Sequence, residues 1–175
     1  MRIYIIGMPG TGKTHFGKML SKAMSLPFVD TDEMLEKQSR LNIKQLIEQK
    51  GEAVFRSMES EVLFATASMP HAVVSTGGGT AVHNDQIVWM KNHGIVVWID
   101  TDLQLIAKRI AQNITRRPLF AGLNEVEIAQ KLNEIYAFRK KFYKKADILV
   151  PVKTLHNNSL TPVIQRIMKL SKLKK

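Results

Sequence analysis

Gly7-Met8-Pro9-Gly10-Thr11-Gly12-Lys13-Thr14 is the stretch on which the fold turns. It satisfies the pattern G-x-x-x-x-G-K-[ST] at every fixed position. Ile3 to Ile6 before it is a short apolar run, and Phe16, Met19, Leu20 and Ala23 after it recur at helical spacing. The order is therefore strand, glycine loop, helix, the setting in which such a loop binds phosphate. Its backbone N–H groups close around phosphate oxygens and the helix amino terminus adds positive dipole. Lys13 then reaches the β and γ phosphates, and Thr14 offers a hydroxyl to Mg²⁺. Gly10, Thr11, Gly12, Lys13 and Thr14 are the candidate ATP-binding residues, with His15 next in line as part of the same segment but without a role of its own.

Outward from the loop, strands and helices keep alternating. Leu26 to Val29 reads as a second strand closed by Asp30-Thr31-Asp32, followed by helical patterns over Met34 to Ser39 and Ile43 to Gln49, which Gly51 breaks. Glu52 to Ala67 is a further helix, Val73 to Ser75 a buried strand running into Gly77-Gly78-Gly79, and Ile95 to Ile99 another strand. Thr101 is the expected cap of a helix through Leu105 and Ile110. Asn113 to Asn124 is polar and holds Arg116, Arg117, Pro118 and Gly122, so a mobile loop is expected there. Glu125 to Lys145 is helical again, and Ile148 to Val152 is the last predicted strand. This alternation predicts an α/β fold: three layers, α/β/α, around a central parallel sheet, with ligands beyond the carboxyl ends of the strands.

With 175 residues, 45% of them hydrophobic, the chain holds material for one domain spanning 1–175. No apolar run approaches the roughly 20 residues needed to span a bilayer. Nothing at the amino terminus reads as a signal peptide, and there are no cysteines, so a cytoplasmic protein with neither disulfides nor thiolate chemistry is expected. The net charge of +11 favours polyanionic ligands in general. Part of it lies in Lys169, Lys172, Lys174 and Lys175, read as a frayed basic tail over about 169–175.

The acceptor of the phosphate has to be sought at the other strand ends. Asp30 and Asp32, at positions i and i+2, can project the same way toward the phosphate loop. One suits holding Mg²⁺ through water, with Thr14; the other suits orienting or deprotonating a hydroxyl. Their structural alternative is to cap the helix that follows.

Phe55-Arg56-Ser57-Met58-Glu59, Gly77-Gly78-Gly79, Arg116-Arg117-Pro118-Leu119 and Arg139, four residues before Tyr143, complete a series. Taken with the phosphate loop and Asp30-Thr31-Asp32, its order and spacing over about residues 1–150 closely resemble the shikimate kinase family, within the nucleoside monophosphate kinase-like P-loop proteins. The resemblance implies transfer of the γ-phosphate of ATP to the 3-hydroxyl of shikimate, with Mg²⁺ as cofactor, in aromatic amino-acid biosynthesis. It further implies that Asp32 takes substrate hydroxyls and acts as base. Arg56 and Arg139 grip the carboxylate, as planar guanidinium groups do bidentately. Gly77, Gly78 and Gly79 bring backbone to the substrate. Arg117 belongs to a lid over about 113–124 and carries positive charge to the transferred group, so Lys13, Asp32 and Arg117 form the catalytic set. Arg109 resembles a residue that covers adenine, one position further from the lid arginine than the family places it. Phe120 stands where a second leucine is usual. The alternative for Arg56 is an ion pair with Glu59 or Glu52, and for Arg139 one with Glu134 or Glu52.

Two other functions fit parts of the sequence. A gluconate-type kinase would share the loop and lid without needing Asp32, Arg56, Gly78 and Arg139 around a cyclic carboxylate. A nucleotide-binding module engaging nucleic acid would use the basic charge, but no aromatic-interleaved basic strand or helix-turn-helix pattern is present. The expected partners are ATP and shikimate, with no nucleic acid or membrane, and the expected form is a monomer.

Overall fold

The computed structural model describes residues 1–112, 118–152 and 160–173. Five strands, β1 (Arg2–Ile6), β2 (Phe28–Asp30), β3 (Ala72–Ser75), β4 (Ile95–Thr101) and β5 (Ile148–Val152), form one sheet in the order β2-β3-β1-β4-β5. All its pairings are parallel. Strand β1 is central, and the chain turns toward opposite sheet edges on either side of it. Its carboxyl end is the topological switch point where open α/β sheets bind ligands.

Successive side chains of a strand face opposite ways, so β1 feeds two cores. Tyr4 and Ile6, with Val74, Val96 and Trp98, pack under Leu63, Ile87, Ile106, Ile128 and Tyr143. These come from α3 (Ile43–Ala65), α4 (Gln86–His93), α5 (Leu103–Ala111) and α6 (Glu125–Tyr143). Ile3 and Ile5, with Val73, Val97 and Ile99, meet Phe16, Leu20, Val163 and Ile167 on the other face. That layer is α1 (Lys13–Met24) and α7 (Leu160–Leu173). A third, small cluster of Leu35, Leu46, Phe55 and Val62 joins α3 to α2 (Thr31–Ser39) and makes the lobe that carries Arg56. The expected α/β/α layering is present.

The helix boundaries follow local chemistry. Asn42 and Asn124 each build a capping box, with Gln45 and Glu127 respectively. Asp102, not Thr101, caps α5, its carboxylate accepting from the N–H groups of Gln104 and Leu105. Thr101 is instead the last residue of β4, still pairing with Val152. Gly51 interrupts α3 at φ 85°, ψ 163°, so the expected break is a kink within one continuous run. A left-handed φ is open to glycine at little cost, and no atom lies within 4 Å of where a Cβ would be. The kink is therefore set by backbone conformation, not by packing.

The carboxyl-terminal segment differs from the expected frayed tail. Lys169 and Lys172 lie on α7, whose Leu160, Val163 and Ile167 are buried against the sheet. Helix α4 also went unpredicted. Between residues 118 and 124 the chain is structured as well: Pro118–Phe120 forms a 3-10 turn, Phe120 is fully buried and Asn124 caps α6. The predicted lid thus ends on an anchored base; Arg116 and Arg117 lie outside the described residues. Among the described residues no helix is long and apolar enough to cross a membrane.

Candidate active site

The phosphate loop connects β1 to α1 as its motif requires. Gly7 has φ 149°, and a Cβ there would lie 2.5 Å from the Ile99 carbonyl oxygen, so only glycine lets the loop leave the sheet beside β4. Gly10 and Gly12 take left-handed values of 84° and 92°, the latter as the residue preceding α1. The Lys13 ammonium curls over the loop and donates to the carbonyls of Gly7 and Met8 at 3.1 and 3.0 Å. Thr11 anchors the loop by donating from its hydroxyl to Met8. Arg109 reaches in from α5, its Nη1 3.5 Å from the Thr11 carbonyl of the phosphate loop. His15 is exposed on α1 and takes no part in the loop.

Thr14 and Asp30 meet. The Thr14 hydroxyl donates to Asp30 Oδ2 at 2.8 Å, while Oδ1 of the same carboxylate accepts the Asp32 N–H at 3.0 Å. Asp30 is thus both the cap of α2 and the partner of the phosphate-loop threonine, so capping does not draw it away from Thr14. Ser75 adjoins it, paired in register with Asp30 and with Ile5, and the Thr76 hydroxyl is spent on the Ile5 carbonyl. Thr14 and Asp30 present hard oxygen donors only, few in number. That suits Mg²⁺, which keeps several waters and is completed by substrate phosphates.

The acceptor side is organised around the triple glycine. A Cβ on Gly77 would lie 2.6 Å from Glu59 Oε1 and 2.9 Å from Asp32 Oδ1. One on Gly78 would lie 2.8 Å from the Pro9 ring, and one on Gly79 3.0 Å from Arg56 Nη1. These close approaches bring Asp32, Arg56 and the phosphate loop to one short stretch of backbone, where a side chain would displace the Glu59, Asp32 or Arg56 groups or meet the Pro9 ring. From α6, Arg139 closes the group by donating to the Gly78 carbonyl at 2.7 Å. Every expected acceptor residue is therefore drawn together from α2, α3, the β3 end and α6.

Arg56 also makes the ion pairs considered as its alternative. Its guanidinium donates to Glu59 at 2.8 Å and to Glu52 at 3.1 Å. Among the described residues Arg139 forms no ion pair with Glu134 or Glu52; it donates to the Gly78 carbonyl. Arg56 Nε is buried with no hydrogen-bond partner among the described residues. Three residues escaped the sequence reading. Glu59, 3% exposed, bridges Arg56 and the Thr80 hydroxyl and so fixes the guanidinium against the glycines. Its signal was the i, i+3 spacing from Arg56, seen as a competitor and not as a support. His83, just past the glycines, has its pKa lowered, first by burial and then by the charges of Arg56 and Arg139. Tyr143 donates to Gly78 at 2.7 Å, beside Arg139.

A parallel sheet with a phosphate loop at its switch point, facing a carboxylate and two guanidinium groups across a glycine stretch, defines a P-loop phosphotransferase for an anionic acceptor. A sequence model of the shikimate kinase family matches residues 9–170. The chain belongs to that family, and the match runs into α7, further than the 1–150 of the sequence resemblance. It is 38% identical over 151 residues to the shikimate kinase of Prochlorococcus marinus (strain NATL2A), covering 86% of this chain and 74% of that one. A solved shikimate kinase from Acinetobacter baumannii in complex with shikimate superposes with a TM-score of 0.83 at 29% identity, over 99% of this chain and 94% of the other. A gluconokinase from Sinorhizobium meliloti 1021 shares the fold at a TM-score of 0.63 but only 13% identity, with 98% and 94% of the two chains covered. The chain is accordingly an ATP-dependent kinase acting on a hydroxyl of shikimate.

Proposed function

We propose that the transfer goes to the 3-hydroxyl, with the residues dividing the work as follows. The phosphate-loop amides and Lys13 hold the β and γ phosphates, Lys13 exchanging its loop carbonyls for phosphate oxygens. Arg109 bounds the nucleotide side. Thr14 and, through water, Asp30 would hold Mg²⁺, which neutralises charge on the β and γ oxygens when bound. Arg56 and Arg139 grip the acceptor carboxylate, Glu59 keeping Arg56 in place. Asp32 orients the 3-hydroxyl and accepts its proton as that oxygen bonds to the γ-phosphorus and the bond to the β,γ-bridging oxygen breaks, releasing ADP. Arg117 on the lid supplies positive charge to the equatorial oxygens. A monomer in the cytoplasm, binding no nucleic acid, completes the reading.

The observation that carries this assignment is the convergence of Asp32, Arg56 and Arg139 on the triple glycine, which itself packs on Pro9 of the phosphate loop. Acceptor and donor sites share that wall, as in-line transfer between bound substrates demands. The test is coupled ADP release from ATP and Mg²⁺ with shikimate, with gluconate and with no acceptor. Turnover is expected with shikimate alone, with ³¹P and ¹H NMR placing the new ester at the 3-position. Equal ADP release without acceptor would mean ATP hydrolysis and not transfer to shikimate; turnover on gluconate instead would remove the acceptor-site roles.

A further inference from the structure

The Gly78 carbonyl receives two donors from one helix, Arg139 Nη1 and the Tyr143 hydroxyl, each at 2.7 Å. They are not equivalent. Arg139 is partly exposed and, under the assignment above on which this inference rests, turns its guanidinium to the acceptor carboxylate. Tyr143 is fully buried, its ring packed against Trp98 at 5.8 Å between centroids, and its hydroxyl lies 3.9 Å from Met8 Sδ in the phosphate loop. It cannot leave. We propose that Tyr143 is a positioning residue for the acceptor: it holds the Gly78 peptide in orientation when Arg139 moves onto substrate.

A trans peptide is planar, with its C=O antiparallel to the next N–H. Fixing the Gly78 oxygen therefore also fixes the direction of the Gly79 N–H, and with it the backbone that faces the substrate. A part-buried carbonyl left without any partner bears a desolvation penalty, which would otherwise oppose Arg139's move. Burial pushes the phenol up to about 12, so the donor persists through the working range of pH.

Tyr143→Phe removes the hydroxyl and keeps the ring. The expected result is a rise of about five- to tenfold in KM for shikimate, with kcat and KM for ATP within about twofold of wild type. Tyr136→Phe is the control: it removes another phenol from the same helix, one that donates to Asp100 at 3.1 Å and not to the glycines. It should leave the shikimate KM unchanged. An unchanged KM in Tyr143→Phe, or equal changes in both variants, would overturn the inference while leaving wild-type turnover of shikimate intact. Wild-type protein inactive on shikimate would instead bring down the site assignment, and this inference with it. Should Tyr143→Phe not fold, the ¹³C shift of the Gly78 carbonyl in Arg139→Ala answers the same question. A hydrogen-bonded value, unchanged on adding shikimate, supports the role, and a value typical of a free carbonyl refutes it.

Discussion

Under the proposed assignment Lys13 and Arg139 serve different parts of the reaction, and their variants should separate accordingly. Lys13 meets phosphates whose charge redistributes during transfer, so Lys13→Ala should lower kcat by about 10²-fold or more with smaller effects on shikimate KM. Arg139 is assigned to a carboxylate remote from the reacting atoms, so Arg139→Ala should raise shikimate KM by about 10- to 100-fold with kcat less affected. Steady-state kinetics on both variants decides it, and the reverse pattern would exchange their roles. His83 gives a prediction of another kind. It faces Arg56, Glu59 and Glu52 from α3 and Arg139 from α6, and its folded pKa is lowered from 6.5. The unfolded chain then binds the proton more readily, so this contribution to stability is intact above about pH 6.5 and is lost as pH falls toward the lower folded value. Urea denaturation of His83→Gln from pH 5 to 8 should show a flatter dependence than wild type; parallel curves would mean that His83 does not titrate on folding.

Phe120 belongs to the scale of elements, because it anchors the 3-10 turn Pro118–Phe120 that precedes α6. Fully buried, it should cost about 3 to 5 kcal/mol of stability when cut to alanine, read from denaturant midpoints. A loss under about 1 kcal/mol would show that the turn is not tied to the core. The sequence signals differed in strength at this level. The strand, loop and helix around Gly7 to Thr14 were legible because every residue of the motif has a local mechanical reason. The residues proposed to hold the acceptor were legible only as a spaced series, since what brings Asp32, Arg56 and Arg139 together is the sheet topology, which no short window contains. Helix α4 was hidden because Ile87, Val88, Trp89 and Met90 run consecutively and mask the periodicity that buries Ile87 and Met90 alone. Helix α7 carried a clear period in Leu160, Val163 and Ile167, overshadowed by its lysines. Asp102 surpassed Thr101 as a cap because one more strand pair, with Val152, kept Thr101 extended.

Across the whole molecule the charge of +11 acts on two anionic substrates at once. Raising ionic strength from about 0.05 to 0.3 M should therefore raise KM for both ATP and shikimate by about two- to fivefold, through screening of long-range attraction. Flat KM values would restrict the electrostatics to direct contacts. The packing of Gly78 on the ring of Pro9 has a consequence for redesign. Proline at 9 sits in a variable position of the phosphate-loop motif, so a relative with a different residue there presents a differently shaped neighbour to its own acceptor loop. Chimaeras that exchange residues 77–79 between such relatives would join mismatched surfaces. The smallest module that can be transplanted intact comprises Met8-Pro9 together with the triple glycine, although 67 intervening residues separate them in the chain.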